Sequence, residues 1–396
     1  MSRAGSGLDA IVVGAGIVGS AIALGLAAQG RRVALVEARP PPLWSIDAPR
    51  DLRVYAIAPG SRALLDQLGV WRDIAEARAQ PYRAMHVWDA GGGRPLHLSA
   101  DEAGQHDLGH IVEAGLIQRQ LWQALPRAGV QLHAPAQLQG YSREPGGEGD
   151  LAVLDLDALS LRAPLLIAAD GAGSPLRTLA GIECSGRDYG QSGLVAYLRS
   201  QQPHAETAWQ RFLPSGPLAV LPCTDGLVSI VWSLPTAEAE RLREVPAEQF
   251  ERELGRAFDG TLGEFELVSE RALFALKLQL AKSYRQGPLL LAGDAAHAVH
   301  PLAGQGVNLG LQDARELLAL GDDAKRRGLP LHSPALLDRY ARRRRSESAL
   351  AAYGFDGLNR LFSNDALLPT LLRGPALGLA GLLPPLRRLL VSRASG

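Results

Sequence analysis

The densest run of residues suited to chemistry lies late in the chain, at Gly293-Asp294 and in the following loop His300-Pro301-Leu302-Ala303-Gly304-Gln305-Gly306. Leu289 to Ala292 are four apolar residues in succession and read as a buried strand, whose end would present the Asp294 carboxylate to a cofactor hydroxyl. In the loop, two glycines and a proline let backbone N–H groups approach something flat and negatively polarised. A helix predicted to begin near Val307 turns its positive end toward the same spot. These residues also suit a plain turn between a strand and a core helix, and local sequence leaves both readings open.

A second unit opens the chain. Ala10 to Val13 form a short strand, Gly14-Ala15-Gly16-Ile17-Val18-Gly19 a tight turn, and a helix runs on to about Gln29, where Gly30 stops it. Val33 to Val36 give a second parallel strand ending at Glu37. Here Gly14 permits the turn, Gly16 lets the backbone reach a pyrophosphate, Gly19 allows close helix packing, and Glu37 can accept from an adenosine ribose. An acid rather than an arginine at position 37 argues against a 2′-phosphate, so FAD and NAD both fit. A third turn, Asp170-Gly171-Ala172-Gly173, closes a predicted strand at 165–169, with Ser174 placed to cap a helix carrying Arg177. Arg53 suits either a phosphate contact or a solvated surface.

These residues must be held by a larger frame. The chain has 396 residues, enough for a discontinuous α/β architecture. We expect a Rossmann-like nucleotide-binding domain from 1–80, 99–183 and 284–325, an inserted, mainly antiparallel β-sheet substrate domain from 81–98 and 184–283, and a helical C-terminal region at 326–396. Within the first, helices are predicted at about 61–68, with Ser61 as N-cap, and at 116–125, with strands at 130–138 and 151–156. Within the second, a hairpin turns at Gly91-Gly92-Gly93, and strands at 194–198, 208–213, 218–221, 227–232 and 266–276 surround one helix at 247–258. Trp209, Phe212, Trp232 and Phe274 could line a substrate cavity, although core packing suits each of them.

Composition is that of an ordinary globular protein: 46% of residues are hydrophobic and 21% charged. The formal charge balances at zero, but from Lys325 onward 13 Lys or Arg face 4 Asp or Glu, a net +9. A basic end on an acidic body suggests an anionic surface as partner, with nucleic acid not expected. The run Arg342 to Arg345 reads as a solvated helix face, on a helix expected at 336–352. Leu-rich, Arg-containing segments from 358 to 391 suit an amphipathic tail lying on a membrane, on a partner, or on the protein's own body. Cys184 and Cys223 have no metal-type spacing and read as reduced thiols of a cytoplasmic protein. No apolar run is long enough to span a bilayer.

The three glycine-and-acid turns occur in an order and spacing that resemble the single-component aromatic flavoprotein hydroxylases. The segment from His300 to Asp313 resembles the ubiquinone-biosynthesis hydroxylase branch, as does the tail around Leu361-Phe362-Ser363-Asn364-Asp365. The resemblance covers essentially the whole chain. It implies FAD in the first unit, with NAD(P)H visiting as a transient co-substrate, and a flavin C4a-hydroperoxide that transfers a hydroxyl from O2 to an electron-rich ring. It further implies Asp294 at the ribityl or phosphate end, with Arg53, Asp170, Gly171 and Gly293 supporting the flavin. Gly304, Gln305, Gly306, Val307 and Asn308 would lie at its N1 and O2 side and Pro301 at its reacting face. His297 and His300 receive no acid or base role. The branch usually carries Asn where this chain has Ala114, after Val112-Glu113. The implied substrate is a prenylated phenol or quinol, and the implied place is cytoplasmic, peripheral on the inner membrane or beside other ubiquinone-biosynthesis proteins. A flavin oxidase or reductase, a hydroxylase of a soluble phenol, and a non-catalytic flavin-binding scaffold are the alternatives.

Overall fold

The computed structural model describes residues 7–42, 44–147, 149–299 and 306–362, the last eight of these as helix backbone alone. Short apolar runs assemble a six-stranded sheet with Ala10–Val13 near its middle. Val33–Val36 and Gln131–His133 lie on one side, and Leu166–Ala168, Leu289–Leu291 and Arg285–Gln286 on the other. All the pairings are parallel except that of Arg285–Gln286. Burial on both faces explains why these strands read as unbroken apolar runs rather than alternating ones. Because parallel strands end on one edge, Gly14, Glu37, Asp170 and Gly293 are delivered together to the carboxyl end of the sheet.

Helices Ile17–Ala28 and Gly306–Arg327 cover one face. They approach so closely that a Cβ on Gly25 would come within 2.4 Å of Leu318, and one on Gly310 within 2.5 Å of Val18. Ile22, Leu26, Leu317 and Leu318 are buried in the same apolar cluster, each burial contributing about 1.5–3 kcal/mol.

The second large element is a nine-stranded, mainly antiparallel sheet. It takes in the hairpin Ala84–Asp89 with Leu96–Ser99, the strands Cys184–Ser200, Thr207–Leu213, Gly216–Pro222, Leu227–Pro235, Phe265–Leu267 and Ala272–Ala281, and the short return His297–Ala298. Residues alternate across it. Leu194, Ala196, Leu198 and Val228 pack with residues of helices Thr236–Glu244 and Ala247–Ala257 on one side. Tyr197, Ala219 and Leu221 pack on the other against Val54, Ala56 and Ile111 of a three-stranded sheet formed by Val54–Ile57, Gly109–Glu113 and Ala79–Tyr82.

Several local expectations change. The helix predicted from Ser61 begins at Pro59 with Ala58 as N-cap, and Ser61 is buried inside it, since proline's fixed φ suits the first helical position. The strand expected at 130–138 is two, Gln131–His133 and Leu138–Glu144, parted at Pro135, which has no N–H for a ladder. The segment 266–276 divides between Phe265–Leu267 and Ala272–Ala281, and Thr236–Glu244 is a further helix. The C-terminal helix is longer than expected, Pro334–Phe362. Both cysteines are free.

Candidate functional site

At the first turn, sterics decide the geometry. Gly14 has φ +101°, and a Cβ there would lie 2.3 Å from the Ala169 carbonyl oxygen; a Cβ on Gly19 would lie 2.0 Å from the Gly14 oxygen. Gly16 differs, because a Cβ there would meet nothing within 4 Å. The loop is therefore tight behind and open in front, which fits the approach of a pyrophosphate to backbone N–H groups. The Glu37 carboxylate accepts the Ala15 N–H at 2.7 Å and the Arg39 N–H at 2.9 Å, so it is fixed beside the loop and keeps lone pairs for ribose hydroxyls. Gln118 steadies the loop from the neighbouring helix Ala114–Arg127, donating to the Ala15 carbonyl at 3.0 Å.

The other two turns are joined by an arginine. Asp170 accepts the Ser174 hydroxyl at 2.5 Å and the Leu176 N–H at 3.0 Å, while Ser174 caps helix Pro175–Leu179 by accepting the Arg177 N–H. Burial raises the Asp170 carboxyl above its usual range, against the pull of those donors. Arg177 is buried and donates to the Ala295 carbonyl at 2.9 Å and the Ala172 carbonyl at 2.7 Å, tying the Asp170-Gly171 turn to the Gly293-Asp294 turn. Gly293 sits at φ +58°, and Asp294 follows it, accessible to solvent. Desolvation there raises the Asp294 carboxyl, opposed by the positive fields of His297 and Arg53.

The segment from Arg50 to Arg53 bridges the end of strand Gly109–Glu113, with the start of the helix after it, and the nine-stranded sheet. Toward the nucleotide side, the Asp51 N–H donates to Glu113 at 3.0 Å, and the Asp51 carboxylate accepts the Gly115 N–H at 2.9 Å. Ala114, standing where the branch has Asn, donates its backbone N–H to the Arg53 carbonyl at 2.9 Å, so this tie needs no side chain. Toward the other sheet, the Tyr197 hydroxyl donates to the Asp51 carbonyl at 3.0 Å, and Arg50 reaches Thr224 at 2.9 Å and Asp225. The Arg53 guanidinium lies 4.5 Å from the centroid of the Phe274 ring. Of the other aromatic candidates, Trp232 belongs to the core beneath the sheet's helices, Phe212 to the apolar layer between sheets, and Trp209 packs with His86 and Trp88.

Gly306, Val307 and Asn308 form the first turn of the helix Gly306–Arg327, where backbone N–H groups have no intrahelical acceptor. The Asn308 side chain is spent elsewhere: it donates to the Ala56 carbonyl at 2.7 Å and accepts the Ala58 N–H at 3.0 Å. Its side-chain part is to align Val54–Ile57 with the helix. His300, Pro301, Gly304 and Gln305 lie outside the described residues, as does the tail from 363 onward.

Residues 7–352 match the FAD binding domain family. The chain is 36% identical over 389 residues to the ubiquinone hydroxylase UbiL of Rhodospirillum rubrum, covering 98% of this chain and 89% of that one. It is also 36% identical over 356 residues to the 3-demethoxyubiquinol 3-hydroxylase of Escherichia coli, covering 89% and 90%. This chain belongs to the FAD-dependent ubiquinone-biosynthesis hydroxylase family. Its members are FAD-dependent monooxygenases, and this one is an enzyme of that class. The fold is shared with the p-nitrophenol 4-monooxygenase PnpA of Pseudomonas putida, at a TM-score of 0.77 over 98% of both chains and 20% identity. Within a flavoprotein hydroxylase, the open face at Gly16 and the fixed Glu37 suit the adenosine end of FAD.

Several residues that shape the site carry no sequence signal of that role. Glu113 is buried, with Arg78 at 3.2 Å and Arg50 at 3.6 Å. Gln118 is one glutamine on an amphipathic helix. Arg344 overturns the reading of Arg342 to Arg345 as a wholly solvated face, for it is 1% exposed. Packing of its helix against Gly306–Arg327 drives that one member of the run inward.

Proposed function

We propose that this hydroxylase acts on the aromatic ring of a prenylated phenol or quinol intermediate of ubiquinone biosynthesis, consuming NAD(P)H and O2. The observation that carries the reading is the convergence of the three turns at the carboxyl end of one parallel sheet. In this assignment Gly14 and Gly19 shape the turn, Gly16 would let its backbone reach the FAD pyrophosphate, and Glu37 would receive the adenosine ribose. Asp294, with Gly293, takes the ribityl or phosphate end, and Arg53, Asp170 and Gly171 support it. By the family resemblance the backbone at Gly304, Gln305 and Gly306, with the helix dipole behind it, would stabilise negative charge at the ring's N1 and O2 side, and Val307 and Asn308 would adjoin the cofactor. By the same resemblance Pro301 would border the reacting face. Bound flavin supplies the redox chemistry, taking hydride from nicotinamide and activating O2 for transfer to an electron-rich ring. The protein's task is to orient the ring, exclude water and hold charge, and no side chain is assigned as acid or base.

The substrate class also bears on location. Exposed Arg342 and Arg345 share one side of the C-terminal helix with Leu350, 58% exposed, and Tyr353, 64% exposed. Cations beside apolar side chains suit an anionic bilayer in which a prenyl chain would reside, and no helix among the described residues is long and apolar enough to cross one.

Anaerobic mixing with NADH or NADPH tests the reading. A prenylphenol should accelerate flavin bleaching strongly, and aerobic turnover in isotopically labelled O2 should leave one labelled oxygen in the product. Turnover without label would instead identify an oxidase or reductase. Cosedimentation with phosphatidylglycerol vesicles, absent with phosphatidylcholine alone, tests the membrane face.

A further inference from the structure

Behind the Gly293-Asp294 turn lies a buried group of charges that the assignment above does not use. Asp313, on helix Gly306–Arg327, is fully buried, and its carboxylate accepts three donors. Oδ2 takes the Gly293 N–H at 2.8 Å and His297 Nε2 at 2.7 Å, and Oδ1 takes Arg344 Nε at 2.5 Å. Arg344 reaches this point from the C-terminal helix Pro334–Phe362 and donates also to the Leu309 carbonyl at 3.1 Å and to Glu347 at 2.5 Å. One turn earlier on the same helix, the Tyr340 hydroxyl donates to the Leu291 carbonyl at 3.1 Å, two residues before Gly293. The C-terminal helix thus holds the strand and the turn that present Asp294 at two points.

A buried carboxylate with a buried guanidinium is costly to assemble unless both are fully hydrogen-bonded, and removing one partner leaves the other charge uncompensated. Burial alone would raise the Asp313 carboxyl, but His297 and Arg344 overcome it and hold it below the ordinary carboxylate range. Asp313 is therefore a charged anchor for the Gly293 N–H. Gly293 adopts φ +58°, and a Cβ there would lie 3.2 Å from Val18 of the glycine-turn helix. A turn pressed against the first nucleotide turn in front and tied by one N–H behind has little freedom to reorient.

We infer that Arg344 and Asp313 are positioning residues for the flavin: the buried pair fixes the Gly293 N–H and so the direction of Asp294, making the C-terminal helix part of the flavin-binding apparatus. The inference rests on the assignment of Asp294 to FAD. Arg344 works through Asp313, and Tyr340 supports the strand beside it.

The test is titration of apoprotein with FAD, followed by flavin fluorescence, together with the visible spectrum and midpoint potential of the bound flavin. Arg344→Met should raise the FAD Kd at least tenfold and shift both the spectrum and the potential. Arg344→Lys, which restores the charge, should recover part of the affinity, whereas the exposed neighbour Arg343→Met should match the parent. If Arg344→Met does not fold, the decision falls to Arg344→Lys: a Kd two- to fivefold above the parent supports the inference, and parental values of all three readouts overturn it. Folded Arg344→Met with parental Kd, spectrum and potential overturns it equally. Failure of the parent itself to bind FAD would sink the functional assignment, a result distinct from either.

Discussion

The Gly14–Gly19 turn and the Gly293-Asp294 turn sit at the same end of one sheet, yet they are held by different forces. The first is shaped by what cannot fit: Gly14 and Gly19 are walled by backbone atoms of the chain itself, and any side chain would collide. The second is shaped by what must be compensated, a buried carboxylate at Asp313 drawing in a backbone N–H, a histidine and an arginine from two other elements. A steric constraint acts at once and is indifferent to pH or salt. An electrostatic one reaches further along the chain and can be titrated.

Replacement of the anchor is the most severe way to test that contrast. Asp313→Asn removes the buried counter-charge of Arg344, leaving only the half-exposed Glu347 beside it, and should cost about 3–5 kcal/mol of stability, read from the urea midpoint. Acid should have the same effect on the parent. A carboxyl whose pKa is depressed in the folded state contributes stability that is present above the unfolded value of about 4 and is lost as pH falls through the folded value. The Asn variant should lack that part of the acid limb. If parent and variant lose stability in parallel below pH ~4, the second turn is not held by charge.

Gly19→Ala probes the other side. With an overlap at 2.0 Å from the Gly14 oxygen, it should cost toward the upper end of about 1–3 kcal/mol, appear mainly as weaker FAD binding, and show the same deficit at pH 5 and pH 8. A strongly pH-dependent deficit would erase the distinction. Asn308→Ala removes the partner of both the Ala58 N–H and the Ala56 carbonyl, a neutral tie, and should cost about 1–2 kcal/mol in thermal unfolding with no salt dependence. The smallest effect belongs to Phe274→Leu. Loss of the aromatic face beneath Arg53 should remove about 0.5–1 kcal/mol, seen as a modest rise in FAD Kd that high salt partly masks.

The same contrast explains what the sequence revealed. Gly14, Gly16, Gly19 and Glu37 are legible because a tight turn between strand and helix restricts residue type locally, within thirty positions. The placement of Asp170 and Asp294 follows from strands recognisable as apolar runs. Arg344 is different: it stands among four arginines with identical local signals, and only the rotation of its helix selects it for burial. The Asn308 side chain bonds to the backbone of strand Val54–Ile57 and the residue after it, a choice made by a contact 250 residues distant. Ser61 misled because a good capping residue two places inside a proline-initiated helix has no free N–H to cap. Strand boundaries at 130–138 and 266–276 blurred where an apolar pattern continues across a break in pairing.

The nine-stranded sheet carries one more consequence, which concerns how the chain reaches this structure. Its strand Ala84–Asp89 pairs in parallel with Thr207–Leu213, more than 120 positions away in sequence, and its edge is completed by His297–Ala298. During synthesis the hairpin 84–99 emerges long before its neighbour exists and presents an open edge until then. Such distant pairing makes folding slow and late, because loop closure must precede the contacts that reward it. We therefore expect refolding to depend on chaperones or low protein concentration, and early aggregation to begin at residues 84–99, where hydrogen–deuterium exchange should show the last protection to form.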